Sequence, residues 1–235
     1  MQHNDVGMLP SQTVENYLKT IFLAQVADSE ALVPMGQLAG ALGVVPGTAT
    51  TMVKTLSESG LVRYEPYMGV RLTEAGEKLA SLVLRRHRLI ELFLVRILDM
   101  SWAEVHDEAE RLEHAVSEHL IERIDAMLGR PAVDPHGDPI PTAEGTIARP
   151  NYIDLASAPV GRRLTIERVV DQDSAFLHFI EERQLMPGSE VTIRSRDQAA
   201  DSLEVRSAAG TSTAVGLRAA SKVLVSLTET GLPKS

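Results

Sequence analysis

The sequence predicts a mainly α protein with a small β part: an N-terminal winged helix-turn-helix, a helical dimerisation domain and a C-terminal small β-barrel. Three observations carry this. Apolar residues recur at helical spacing from residue 11 to residue 128, interrupted by short breaks and one hairpin. Prolines and glycines then crowd the stretch GRPAVDPHGDPIPTAEG. Short runs of β-type alternation follow, from LTIERVV to KVLVSLT. The 235 residues divide into a winged unit over 1–72, a helical unit over 73–130, a proline-rich linker over 131–160 and a β domain over 161–230.

In the first unit, SQTVENYLKTIFLAQVA places Val14, Tyr17, Leu18, Ile21, Phe22 and Val26 on one helical face, with Ser11 as N-cap. A break at Pro34 precedes a short helix that buries Leu38, Ala39 and Leu42 and stops at Gly43. Pro46 then opens PGTATTMVKTLSESG, with Met52, Val53 and Leu56 inward and Gly60 as terminator. LVRYEPYMGVRLT reads as two strands around a Pro66–Gly69 turn, the wing. The second helix of such a unit enters the DNA major groove and reads bases near its N-terminus. Gly47, Thr48, Thr50 and Thr51 hold that end, while Lys54 and Arg63 are candidates for phosphate contact. Residues 1–75 hold only Lys19, Lys54, Arg63 and Arg71 against seven acids, so unassisted DNA affinity is expected to be weak.

Thr73 starts a long helix, TEAGEKLASLVLRRHRLIELFLVRIL, whose apolar surface is too broad for a monomer and implies a homodimer. Ser101 and Glu104 match a capping box and are expected to open one further helix running to Leu128. At ~100° per residue, His106, Glu110, Glu113 and His114 would share one stripe of it. Val105, Ala109, Leu112, Val116 and Leu120 would form the apolar stripe beside them. The long helix adds His87 and Glu91, four apart. An isolated pair of this kind is usually a solvated face, but six such groups on two helices make a metal-site pattern. Carboxylate and imidazole donors without thiolate suit Mn(II) and Fe(II), with Zn(II), Co(II) and Ni(II) also accommodated. In the β domain Asp171 and Asp173 precede the one helical run, SAFLHFIEERQL, as turn acids.

Composition sets the limits. Cysteine is absent, which removes disulfides and thiol nucleophiles. The N-terminal MQHNDVGMLPSQT does not resemble a signal peptide, and no apolar run spans a membrane, so a cytoplasmic protein without membrane partners is expected. The net charge of −9 argues against general polyanion binding. Nothing supplies a nucleophile or a pocket motif, so a small organic substrate is not expected, and a metalloenzyme is the weaker alternative.

These residues also carry a resemblance. The winged unit, then RRHRLIELFL, EVHDEAERLEHAVSEHL, DPHGDPIP and a PGSEV turn together resemble the diphtheria toxin repressor family of metal-dependent transcriptional repressors over nearly the whole chain. The resemblance implies an SH3-like, FeoA-like C-terminal domain, a homodimer and double-stranded DNA operators. It implies a regulatory metal site at Asn16, Glu110, Glu113 and His114. It also implies an ancillary site at His87, Glu91 and His106, with Asp173 from the β domain. Iron-type members place cysteine and methionine where Glu110 and Asn16 stand here, so the manganese-type branch is implied and Mn(II) is the expected metal, with Fe(II) as the alternative. This chain departs from that branch at Asn16, usually aspartate, and at Lys19, where short members place a metal-binding glutamate. The expected function is a Mn(II)-activated homodimeric repressor of metal-uptake genes at palindromic operators. In the metal-free chain, acids between the first helix and the stripe helix are expected to repel one another until an ion joins them.

Overall fold

A computed structural model describes residues 11–25 and 30–228; Val26 therefore lies outside the described residues. The chain separates into two compact units. One comprises the described residues up to His87 together with Glu113–Ala115 and Pro141–Ile147. The other takes Arg88–Leu112, Val116–Ile140 and the described residues from Ala148 onward.

The first unit is a winged helix-turn-helix: α1 (Gln12–Ala24), α2 (Met35–Ala41), α3 (Pro46–Glu58), then β1 (Val62–Glu65) paired antiparallel with β2 (Gly69–Leu72). The beginning of α4 (Glu74–Leu98) completes it. The Ser11 hydroxyl accepts from Val14 N and caps α1, and Pro46 occupies the first turn of α3. Leu18, Ile21, Leu38, Val53, Leu56, Val70 and Leu84 meet in one core. Each large aliphatic side chain there contributes roughly 1.5–3 kcal/mol of burial.

The second unit holds the rest of α4, then α5 (Val105–Leu112) and α6 (Glu118–Met127), packed through Leu89, Leu92, Leu94, Val105, Ala109 and Ile121. The single helix expected from Glu104 to Leu128 is therefore two. Ser117 stands in extended backbone and its side chain accepts from Leu120 N, so it caps a new helix and breaks the old one. The apolar stripe divides with it: Val105 and Ala109 are buried, whereas Leu112 and Leu120 are exposed. The expected common stripe of four metal ligands does not exist either. His106 and Glu110 lie on α5, while Glu113 and His114 lie in the turn after it.

Downstream come β3 (Ile153–Asp154), β4 (Arg163–Val169), α7 (Ser174–Glu182), β5 (Glu190–Asp197), β6 (Ser202–Ser207), β7 (Ser212–Gly216), α8 (Leu217–Ala220) and β8 (Val223–Leu227). They form one antiparallel sheet ordered β3-β8-β4-β5-β6-β7, with register shifts after Ile166 and Ile193. Its inward residues, among them Leu164, Ile166, Val191, Ile193, Val205 and Val225, pack with Leu177 and Ile180 of α7 and with Trp102. The expected closed barrel is an open sheet: its edge strands β3 and β7 do not pair among the described residues. At two residues, β3 is too short to close it.

Candidate metal centre

Within α4 the run Arg85-Arg86-His87-Arg88 is buried throughout. Buried charges persist only when paired, and each of these groups has its partner. Arg85 donates to the Pro141 carbonyl at 3.1 Å and Arg86 to Glu15 Oε1 at 2.5 Å. His87 Nδ1 lies 2.7 Å from Glu113 Oε2, and Arg88 bonds the Pro139 carbonyl and Asp138.

In the first unit Glu113 is wholly buried. Its second oxygen, Oε1, accepts from Lys19 Nζ at 2.6 Å and lies 3.2 Å from His114 Nε2. His114 Nδ1 in turn bonds Glu15 Oε2 at 2.5 Å. Burial works to raise the Glu113 carboxyl, but the His87 hydrogen bond and the Lys19 charge outweigh it and hold the group below the usual glutamate value. The expected set of mutually repelling acids is thus replaced by two carboxylates, Glu15 and Glu113, matched by two fixed cations, Arg86 and Lys19. Asn16 Oδ1 is buried without a hydrogen-bond partner among the described residues, an oxygen donor left for a ligand.

The second unit contains a site that sequence reasoning missed. Ligand atoms of Glu91, Asp134 and His136, all buried, gather within 4.8 Å of one another. Glu91 also bonds His106 Nδ1 at 3.2 Å, and His106 Nε2 lies 3.7 Å from Glu110 Oε1. The loop Asp134–Asp138 is built around one carboxylate oxygen: Asp134 Oδ1 accepts from His136 N at 2.8 Å and from Asp138 N at 2.9 Å. Gly137 takes φ +85°, and a Cβ there would come 1.9 Å from the Glu167 carbonyl oxygen, so this loop against β4 requires glycine.

His136 Nε2 lies 2.9 Å from the Trp102 carbonyl. A carbonyl only accepts, so Nε2 is the donor, and Nδ1 is the nitrogen left to face the site. That Nδ1 is buried, has no hydrogen-bond partner among the described residues, and lies 4.0 Å from Glu91 Oε2. An imidazole fixed by a carbonyl behind it, with its other nitrogen facing two carboxylates, fits a divalent cation. Burial raises Asp134 well above the ordinary aspartate value; the Asp138 and Glu91 charges add to this, and Arg88 opposes it. Around the set, Arg168 and Gln172 fix Asp138. The motif DPHGD, an imidazole between two acids, was legible in what was read as linker. Asp173 caps α7, accepting from Phe176 N at 3.1 Å, and is exposed.

On α3, Gly47, Thr48, Thr51 and Lys54 are exposed and Thr50 is half-buried, with Arg63 exposed on β1. Thr50 and Thr51 donate to the Pro46 and Gly47 carbonyls, which leaves their oxygens able to accept. The wing tip adds the exposed Tyr67 and Met68, which the sequence reading passed over as turn residues.

A winged helix-turn-helix, buried carboxylate–imidazole sets and a small β domain in one chain define a metal-responsive DNA-binding regulator. Residues 10–70 match the iron-dependent repressor N-terminal DNA-binding domain and residues 73–142 its metal-binding and dimerisation domain. Residues 153–227 match the FeoA domain. The iron-dependent repressor IdeR of Mycobacterium tuberculosis is 31% identical over 198 residues, 78% of this chain and 84% of that protein. The regulator MntR of Lysinibacillus sphaericus is 33% identical over 116 residues, 49% of this chain and 81% of that protein. A solved manganese-dependent transcriptional repressor in complex with manganese is 39% identical with a TM-score of 0.81, covering 92% of this chain and all of that one. The chain belongs to the iron-dependent repressor family of metal-dependent transcriptional repressors. None of its described helices is long and apolar enough to cross a membrane.

Proposed function

We propose that the chain is a Mn(II)-activated, homodimeric, cytoplasmic repressor that binds palindromic operators of metal-uptake genes. The observation that carries this reading is the thiolate-free set of Glu91, Asp134 and His136, with His136 Nδ1 facing carboxylate oxygen. Hard oxygen and borderline imidazole nitrogen favour Mn(II), and bound metal supplies positive charge that no side chain of this set provides.

In this reading Asp134 and His136 join Glu91 and His106 in the ancillary set, where His87 was also expected. Asp173 remains the candidate from the β domain. Asn16, Glu113 and His114 hold the regulatory ion, where Glu110 was also expected. Gly47, Thr48, Thr50 and Thr51 read bases, while Lys54 and Arg63 hold phosphates. Ile97, Leu98, Leu120 and Met127 at the exposed ends of α4 and α6 supply apolar surface for a second copy. Metal bound to both sets fixes the spacing of two reading helices on a two-fold operator.

The iron-dependent relatives favour a second reading, an Fe(II)-responsive repressor using the same residues. Operator binding followed anaerobically with Mn(II), with Fe(II) and with chelator separates the two. The expected order is Mn(II) above Fe(II) above chelator. Equal binding in all three sinks the switch, and Fe(II) ahead of Mn(II) selects the second reading.

A further inference from the structure

We propose that the Lys19 ammonium is a tethered cation that holds Glu113 in the metal-free chain and must withdraw before a divalent ion can bind there, so that Lys19 sets the metal concentration at which the regulator switches. The proposal rests on the assignment of Glu113 and His114 as ligands.

Lys19 sits on α1 among the buried Leu18, Ile21 and Phe22 and is itself buried. A lysine in such a place loses most of its hydration and is tolerated only beside an anion. Its anion is Glu113 Oε1, at 2.6 Å. The same oxygen lies 3.2 Å from His114 Nε2, so the ammonium stands at the atom that two assigned ligands would share with an ion. Ammonium and metal compete for one set of lone pairs.

Charge decides the competition. Glu15 and Glu113 are balanced by Arg86 and Lys19, so a dication entering the intact set would leave a buried net charge of two. Withdrawal of Lys19 lowers that excess by one. Of the two fixed cations, Lys19 is the one built to leave: lysine is a point charge on a flexible stem, whereas Arg86 is a planar fork engaged with Glu15. In the absence of metal the ammonium also keeps Glu113 from standing as an unpaired buried carboxylate. The like-charge repulsion expected of the metal-free chain is thereby met by a resident counter-ion, and metal must outcompete it.

The test uses the full-length chain as wild type, Lys19→Met, Lys19→Gln and Glu113→Gln, titrated anaerobically with Mn(II) by equilibrium dialysis. Thermal unfolding is recorded in chelator and in excess Mn(II). Both Lys19 variants should bind Mn(II) about tenfold more tightly at one site, within the range of coupling between linked sites. They should melt below wild type in chelator and recover in Mn(II). A merely structural lysine would not yield tighter metal binding on removal. A variant that folds only with Mn(II) supports the proposal, because the ion then replaces the missing cation. Unchanged or weaker affinity in both variants, or failure to fold even in excess Mn(II), overturns it. If Glu113→Gln binds as many ions as wild type, the ligand assignment itself is at fault, whatever the Lys19 variants do.

Discussion

His136 donates from Nε2 to the carbonyl of Trp102 at 2.9 Å, and the two rings stack with centroids 5.3 Å apart. Together the carbonyl and the indole set the tautomer and the plane of the imidazole before any ion arrives, so no reorganisation is needed when Nδ1 takes a ligand. His136→Ala should therefore lower Mn(II) affinity by at least about tenfold while leaving a second, independent binding event. Titration calorimetry that shows the wild-type isotherm in His136→Ala would remove His136 from the site.

Asp134 gives a pH dependence with a definite sign. Its folded-state carboxyl is raised above the ordinary value of 3.8, so the metal-free folded chain binds this proton more tightly than the unfolded chain. The stability this group adds in chelator should be fully present below about 3.8, be lost as pH rises from there to the raised value, and be independent of pH above it. An ion at Asp134 must expel the proton, so Mn(II) affinity should rise with pH across the same window. Calorimetric titrations in buffers of different ionisation enthalpy should detect proton release below the raised value, reduced in Asp134→Asn. Equal release in both proteins would contradict the assignment.

Arg86 and Glu15 are both buried and 2.5 Å apart. Removal of one partner strands the other's charge, so Arg86→Ala should cost roughly 3–5 kcal/mol. The double variant Arg86→Met, Glu15→Leu should recover most of that, because neither charge remains. Urea unfolding in chelator measures all three proteins. Additive losses in the double variant would show that the pair is not what matters at these positions.

At the DNA face, Lys54→Ala and Arg63→Ala should weaken operator and random DNA to a similar degree, each reducing the salt slope by about one. Thr51→Ala should instead act on operator far more than on random DNA. Fluorescence anisotropy over a salt series distinguishes the two patterns, and a sequence-selective loss in Lys54→Ala would place that lysine on a base.

The winged unit was readable because its helices announce themselves locally, through Ser11 as cap, Pro46 at a first turn and apolar residues at regular spacing. The break between α5 and α6 was not, because HDEAERLEHAVSEHL keeps helical periodicity across it and only the Ser117 cap marks the interruption. His136 escaped for the opposite reason. Its site is assembled from a loop and a distant position on α4, and a proline-rich stretch has no periodicity to show which residue is buried. Lys19 was visible as a departure from a ligand pattern, but pairing across 94 positions is a tertiary fact.

The burial of Glu91, Asp134 and His136 has a consequence in time. Side chains closed to water cannot exchange an ion by simple diffusion; the Asp134–Asp138 loop has to open first, and local opening of a hydrogen-bonded, glycine-locked loop spans microseconds to seconds. An ion held there would leave at the pace of that opening. The regulator would then respond to the metal level averaged over its own opening interval and ignore briefer fluctuations, a memory whose length is written in two backbone hydrogen bonds to one aspartate.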